Sequence, residues 1–279
     1  MAIITIARER GAYGRIVAKM LAERTAAHFI DCAVVDSRLE AMGITEKKRS
    51  AFDERRPGFF AALTNAVEEY VCCLKQVMYE EAQKQGDCVI LGRGSQVLFA
   101  DVPGAIRVRL VASPQVRYQR VAESEGLDVR QAKELVDRID HDRAGFNSYF
   151  FDTEWASPSC YQMVLNTEHL TPENAVEIIC ALVKQTVTPE IEADANIMLK
   201  NLSRAQAIER EILHVQRIPV FFLKVTCSGN QATLAGVAHS TDDIDKAREV
   251  AIKAGMERVD CRIEIGLHGQ FDSPELRKM

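Results

Sequence analysis

Cys88-Val89-Ile90-Leu91-Gly92 is an unbroken apolar run that stops at a glycine. A strand with one wet face alternates apolar and polar residues, whereas one covered on both faces has no need to. The run therefore reads as a strand inside a parallel sheet. Outward from it, Ile3–Ala7 and Ala105–Ala112 repeat the signal, and His28–Asp31 and Met163–Asn166 make two shorter strands. Helical patterns lie between them. Ile16–Ala27 carries Val17, Met20 and Leu21 at helical spacing, and Arg38–Lys48 is a second such segment. Ala61–Gln85 aligns Val67, Val71, Leu74 and Met78 on one face, with Gly86 past its end. Pro114–Glu125, Val129–Phe146 and a helix opened by Thr171-Pro172-Glu173 complete the set. Alternating strands and helices predict the α/β class with a largely parallel sheet. Ser50–Phe60, with its charges, Pro57 and Gly58, reads as a connection.

After Thr188-Pro189 the pattern changes. Ser203–His214 is an amphipathic helix and Pro219–Cys227 a strand, in which Val220-Phe221-Phe222-Leu223 reads as core. Ser228-Gly229-Asn230 turns into a strand at Gln231–Ala238. Ser240-Thr241-Asp242 caps a helix through Ala254, Gly255 stops it, and Arg258–Leu267 is a last strand. The order α-β-β-α-β marks a small α+β module at 198–270, behind an α/β domain at 1–190, and the tail after Gly269 reads as frayed. The length of 279 residues agrees with two domains at roughly 150 residues each.

Composition narrows the function classes. Hydrophobic residues at 47% and charged residues at 27% exclude disordered and collagen-like chains. The net charge of −5 argues against a nucleic-acid binder held by a global positive field. It is unevenly placed: residues 1–194 hold 23 Lys+Arg against 29 Asp+Glu, and the remainder 12 against 11. No run approaches the ~18 apolar residues of a membrane span, and MAIITIARERG turns charged too early for a signal peptide. The expected location is cytoplasmic, with all eight cysteines as reduced thiols. They form no C-x-x-C, and the six histidines no H-x-x-x-H, so no metal site is expected.

Ala7–Ala18, A-R-E-R-G-A-Y-G-R-I-V-A, joins the first strand to the first helix. A glycine turn there aims backbone N–H groups and a helix N-terminus at phosphate oxygens. Gly11 and Gly14 supply the permissive backbone and Arg15 a charge. The phosphate-loop pattern G-x-x-x-x-G-K-[ST], however, lacks both its lysine and its hydroxyl here. Taken alone, the string also fits a plain strand-to-helix turn. The arginines of the later helices equally fit a solvated face with i,i+4 pairs such as Glu134–Arg138, and Asp31 fits a strand-end turn.

Leu91–Val121 resembles the central stretch of cytidylate kinases, with Gly92-Arg93, Phe99, Pro103, Ala112-Ser113, Arg117 and Arg120 in register. The span from Ile3 to Val183 resembles the cytidylate-kinase-like family, in the branch whose loop reads S-R-x-x-G-S-G-G-R. Gly11, Gly14 and Arg15 match that loop, while Ala12 and Tyr13 replace its Ser and Gly. Ile139–Thr167 also looks like that branch. The resemblance implies a three-layer P-loop NTPase-type sheet flanked by helices, use of ATP with Mg²⁺, and phosphoryl transfer to CMP or another small acceptor. It further implies that Gly11, Ala12, Tyr13, Gly14 and Arg15 cradle the donor and that Asp31 and Arg93 meet the acceptor. Arg15, Arg138, Asp140 and Arg143 would serve catalysis. Gly94 stands where cytidylate kinases place an Asp. With the missing lysine and hydroxyl, that departure leaves an alternative: a catalytically inactive, kinase-like ligand sensor. Val225–Ala251 with Val259–Ile265 resembles the BON domain, which implies partner binding or homo-oligomer formation through the C-terminal module.

Overall fold

The computed structural model describes residues 2–50, 66–84 and 86–266. The Ser50–Phe60 connection past Ser50, the start of the long helix at Ala61, its end at Gln85, Leu267 and the tail lie outside the described residues. Contacts divide the chain into two compact units, Met1–Asn196 and Ile197–Met279.

The first unit is built on five parallel strands: β1 (Ile3–Arg8), β2 (His28–Ile30), β3 (Cys88–Leu91), β4 (Ile106–Val111) and β5 (Met163–Asn166). Their order is β2-β3-β1-β4-β5. Adjacent β1 and β3 run in register from Ile3↔Cys88 to Ile6↔Leu91. Helices α1 (Gly14–Thr25), α2 (Cys32–Ala41), α3 (Glu46–Ser50), α4 (Ala66–Lys84), α5 (Ser95–Leu98), α6 (Pro114–Glu125), α7 (Val129–Phe151) and α8 (Pro172–Thr186) connect and flank them. Because successive strand residues face opposite sides, Ile4, Ile6, Val89, Leu91, Val108 and Leu110 pack with Val17 and Leu21 of α1 and Val176 and Ile179 of α8. Ile3, Cys88 and Ile90 are equally buried on the other side. Double coverage is the reason these strands do not alternate, and burial pushes the Cys88 thiol up to about 12.

Three helix boundaries differ from the sequence reading. The expected helix 38–48 is two helices, α2 beginning at Cys32 and α3 at Glu46. Asp31 caps α2 by accepting N–H bonds from Ala33 and Val34, and Gly43, at φ +89°, lies in the break. Helix α7 runs five residues past Phe146, to Phe151, and stops where Asp152 adopts φ +46°. The expected helix 203–214 begins at Pro189 instead, as α9 (Pro189–Arg210), and continues through a π turn at Glu211–Val215. Proline is tolerated at the first helical position, where its missing N–H has no intrahelical partner.

In the second unit, β6 (Val220–Ser228), β7 (Gln231–Ala238) and β8 (Arg258–Ile265) form a sheet of order β6-β7-β8, covered by α10 (Thr241–Lys253). The first pair is antiparallel and the second parallel. Ser240 caps α10 through the Asp243 N–H. The expectation that Val220–Leu223 is core fails at its centre: Phe221 and Phe222 are 38% and 62% exposed. Between Phe221 and Lys224 the register slips by one residue, a bulge that ends the in–out alternation and puts Phe222 at φ +53°. Opposite it, a Cβ on Gly236 would lie 2.9 Å from the Phe221 carbonyl oxygen, so the bulge fits only against glycine. A left-handed phenylalanine is strained by roughly 1 kcal/mol, and asparagine tolerates that region. Phe222→Asn is therefore expected to stabilise the second unit by up to about 1 kcal/mol, read as a higher urea midpoint with an unchanged slope.

Candidate active site

The site forms where β1 and β3 end. From these neighbouring strands the chain leaves in opposite directions, β1 leading to β2 on one side and β3 to β4 on the other. In an open α/β sheet that divergence leaves a crevice at the carboxyl ends of the strands, where ligands bind. A shallow cleft with space for about one water molecule lies there, lined by Arg8, Gly92, Arg93, Gln96, Arg143 and Asn147, with Phe146 and Trp155 as apolar wall.

The loop from Glu9 to Tyr13 borders this crevice. Gly11 adopts φ +86° and Tyr13 φ +58°, a turn that brings the chain into α1 with no side-chain cap on its first N–H groups. The opening turn of a helix leaves such groups without intrahelical partners, a geometry that suits an anion. A Cβ at Gly11 would sit 2.8 Å from the Arg117 carbonyl oxygen, and one at Gly14 would sit 2.5 Å from the Arg8 Cβ. Both glycines serve close approach within the protein. Ala12 is buried in the core, and its N–H donates to the Glu9 carbonyl oxygen, so it offers a ligand nothing. The Tyr13 ring packs on the core and lies 3.8 Å beneath the Arg120 guanidinium. Arg15 is exposed and pairs with Asp31 at 3.2 Å.

Charge holds the loop in place. Arg117, buried on α6, reaches Glu9 at 3.3 Å and Asp140 at 2.5 Å, and donates to the carbonyl oxygens of Ala112 and Arg10. Glu9 also accepts from Arg109 at 3.1 Å and from the Ala112 N–H at 3.3 Å. Asp140 accepts the Arg10 N–H at 2.8 Å and lies 3.5 Å from Arg143, which donates to the Arg8 carbonyl oxygen. Burial raises the Asp140 carboxyl above the ordinary aspartate range; the Arg10 N–H, Arg143 and Arg117 pull the other way, and nearby Glu9 adds to the rise.

The residues named from sequence thus divide. Gly11, Tyr13, Gly14, Asp140 and Arg143 meet around the loop. Arg93, only 2% exposed and at φ +57°, lines the cleft, bonded to the Tyr70 hydroxyl and Asp36, both at 2.9 Å. Asp31 caps α2 and faces Arg15. Arg138 stays exposed, with no hydrogen bond or ion pair among the described residues. Two residues before Asp140, it sits about 200° round the helix from it. The expected Glu134–Arg138 pair does not form, and Glu134 meets Arg130 at 3.5 Å. Sequence reasoning missed Glu9, Arg109, Gln96 and Asn147. Arg109 had one signal, a charge inside a mainly apolar strand, shared with Arg107; the others had none.

A parallel sheet in this order, with a glycine turn after β1 and an arginine-lined cleft beside it, is consistent with a P-loop kinase fold. Residues 3–169 match the model of the cytidylate kinase-like family, and the chain belongs to that family. It is 30% identical over 188 residues to a cytidylate kinase of Archaeoglobus fulgidus, covering 65% of this chain and 94% of that one. To a cytidylate kinase of Pyrococcus horikoshii it is 34% identical over 107 residues, 37% of this chain and 53% of that one. A solved structure of an uncharacterized protein from Eubacterium ventriosum resembles it in fold, with TM-score 0.53 and 20% identity over 66% of this chain and 99% of that one.

The donor set fits phosphate better than it fits a metal. N–H groups and Arg15 suit an anion, but Ile16 stands where the loop pattern has its magnesium-binding hydroxyl. Among the described residues no group of three His, Cys, Asp or Glu side chains could hold a metal ion. No helix among them is long and apolar enough to cross a membrane.

Two outcomes follow for the loop. Gly11→Ala is expected to destabilise the protein by about 1–3 kcal/mol, from positive φ and the overlap with Arg117, measured by urea unfolding. The folded state binds the Asp140 proton more tightly than the unfolded chain, whose aspartates titrate near ~3.9. Stability from this group therefore falls as pH rises from that value through the raised one, and Asp140→Asn is expected to remove that part of the pH dependence.

Proposed function

We propose that the first unit is a nucleoside monophosphate kinase-like phosphotransferase that moves a phosphoryl group from ATP to CMP or another small acceptor. The observation that carries this reading is the arginine-lined cleft beside the first turn of α1, at the point where the sheet connections diverge. Phosphoryl transfer asks little covalent chemistry of a protein: it needs the two substrates in line and positive charge on the transferring oxygens. The N–H groups of Gly14 and Arg15 and the Arg15 guanidinium would hold donor phosphates. Arg8, Arg93 and Arg143 would meet the acceptor, with Arg143 between cleft and loop. ATP in such enzymes arrives with Mg²⁺.

A second reading, a ligand-sensing protein without turnover, is favoured by Ile16 and by the stack of Arg120 on Tyr13. The αββαβ order and the resemblance to BON domains support a partner-binding role for the second unit, with the exposed Phe221 and Phe222 as its most apolar feature.

Calorimetry with ATP·Mg²⁺ and CMP, followed by a coupled assay of ADP release, separates the readings. CMP-dependent turnover supports the kinase; binding without turnover supports the sensor; no ATP binding at millimolar concentration sinks the donor site. Arg93→Ala is expected to weaken acceptor binding by about tenfold or more while ATP binding holds. An equal loss of both would make its role purely structural.

A further inference from the structure

Strand β8 is the last of its sheet: β7 lies on one side, and among the described residues no strand lies on the other. The opposite edge, β6, is kinked by its bulge, but β8 keeps register with β7 over all eight of its residues. It reads Arg258-Val259-Asp260-Cys261-Arg262-Ile263-Glu264-Ile265, without the proline or lysine that commonly blunts a sheet edge. Val259, Cys261 and Ile263 pack with the core under α10. The alternate residues Arg258, Asp260, Arg262 and Glu264 therefore share the other face, with charges in the order plus, minus, plus, minus. Their neighbours on β7, Gln231, Thr233, Ala235 and Val237, are uncharged. Asp260 and Arg262 pair along the strand at 2.6 Å. Arg258 and Glu264 make no ion pair among the described residues.

The backbone fixes which groups face outward. Arg258 and Gly266 donate their N–H groups into β7, to the carbonyl oxygens of Asn230 and Ala238. In a parallel pair, alternate residues turn both main-chain groups to one side. The even-numbered residues therefore bond β7. Val259, Cys261 and Ile263 direct their N–H and C=O groups away from it, a template for another strand.

We propose that β8 is a self-association edge: a second copy of this chain adds its own β8 antiparallel to it, about a two-fold axis at Cys261. This rests on the partner-binding reading of the second unit, which it narrows to one partner, and it is independent of any reaction in the first. A two-fold contact must be self-complementary, residue i meeting j and j meeting i. In this register Cys261 faces Cys261 of the copy and Val259 faces Ile263 of the copy, each pair exchanging its outward hydrogen bonds. Arg258 then faces Glu264 and Asp260 faces Arg262, at the non-hydrogen-bonded positions where side chains lie closest. Every charge meets its opposite. Sliding the copy by two residues one way sets Asp260 against Asp260, and the other way sets Arg262 against Arg262. Like charges directly opposite are destabilising, so the pattern selects one register.

The test is sedimentation equilibrium of the full chain and of two charge reversals. The unaltered chain is expected to dimerise at or below about 100 µM, and more weakly as salt rises, because the charges are exposed. Asp260→Arg and Arg262→Glu each set like charges opposite one another on both sides of the axis. Each is expected to weaken the dimer by about tenfold or more. Mixed in equal amounts, the two variants are expected to pair with each other, since every charge again meets its opposite. A chain that stays monomeric up to about 100 µM overturns the inference, as does a dimer that both reversals leave intact. A dimer that survives the reversals but is lost in Phe222→Ser lies at the bulge, which overturns the inference and keeps the partner-binding reading. Hydrogen exchange in the unaltered chain gives a check that stands even if the variants unfold. The Val259, Cys261 and Ile263 amides are expected to exchange about tenfold or more slowly as dimer than after dilution to monomer, and equal exchange in the two states overturns the inference.

Discussion

Arg117 reaches from α6 into the loop after β1 and bridges Glu9 and Asp140, two carboxylates from different parts of the chain. The arrangement of the site depends on that bridge. Glu9 ties the loop to β4 through Arg109, and Asp140 ties it to α7 while accepting the Arg10 N–H. Three elements that share no local sequence are thereby clamped on one turn. Removing one member of such a buried set leaves the others desolvated and unpaired, which typically costs 3–5 kcal/mol. In an acidic unit, an anion at this turn would have to rely on local arginines and helix N–H groups in place of the overall field.

The clamp has a chemical consequence. A phosphate loop with a lysine and a hydroxyl gives its ligand point contacts from within the loop itself. Under the proposed function the loop would offer backbone N–H groups and Arg15, and the remaining positive charge would come from other elements: Arg143 of α7, Arg93 after β3, and Arg8 at the end of β1. Arg117 and Arg109 are engaged with carboxylates and act as scaffold. A site assembled in this way depends on tertiary packing for its geometry, and a substitution in α6 or α7 is felt in the loop.

In the second unit the decisive constraint is steric. One extra residue in β6 bends the edge of the sheet and turns two phenylalanines outward, and Gly236 is the residue that leaves room for it. An exposed aromatic on a strained edge position is unusual for a strand whose only task is to fill a core. That places the surface feature of the module at the bulge.

Much of the fold was legible along the chain, because periodicity is a local property. The doubly buried strands betrayed themselves by lack of alternation, as at Cys88–Leu91, and caps such as Thr171 and Ser240 sit at helix starts with their own signature. Helix ends were less legible where a proline or a glycine admits two outcomes: Pro189 opens a helix, and Gly43 breaks one. Gly11 and Gly14 could be picked out from their spacing as the turn between β1 and α1. Spacing could not say that Ala12 would be core, that Arg138 would face water, or that Glu9, Arg117 and Asp140 would meet. Nor could it pair Gln96 with Asn147, 51 positions apart. Strand and helix patterns are written in neighbouring residues, so the sequence by itself determined the elements and their order along the chain. Ion pairs and side-chain hydrogen bonds depend on which distant groups share a desolvated space, and only the tertiary structure decided those.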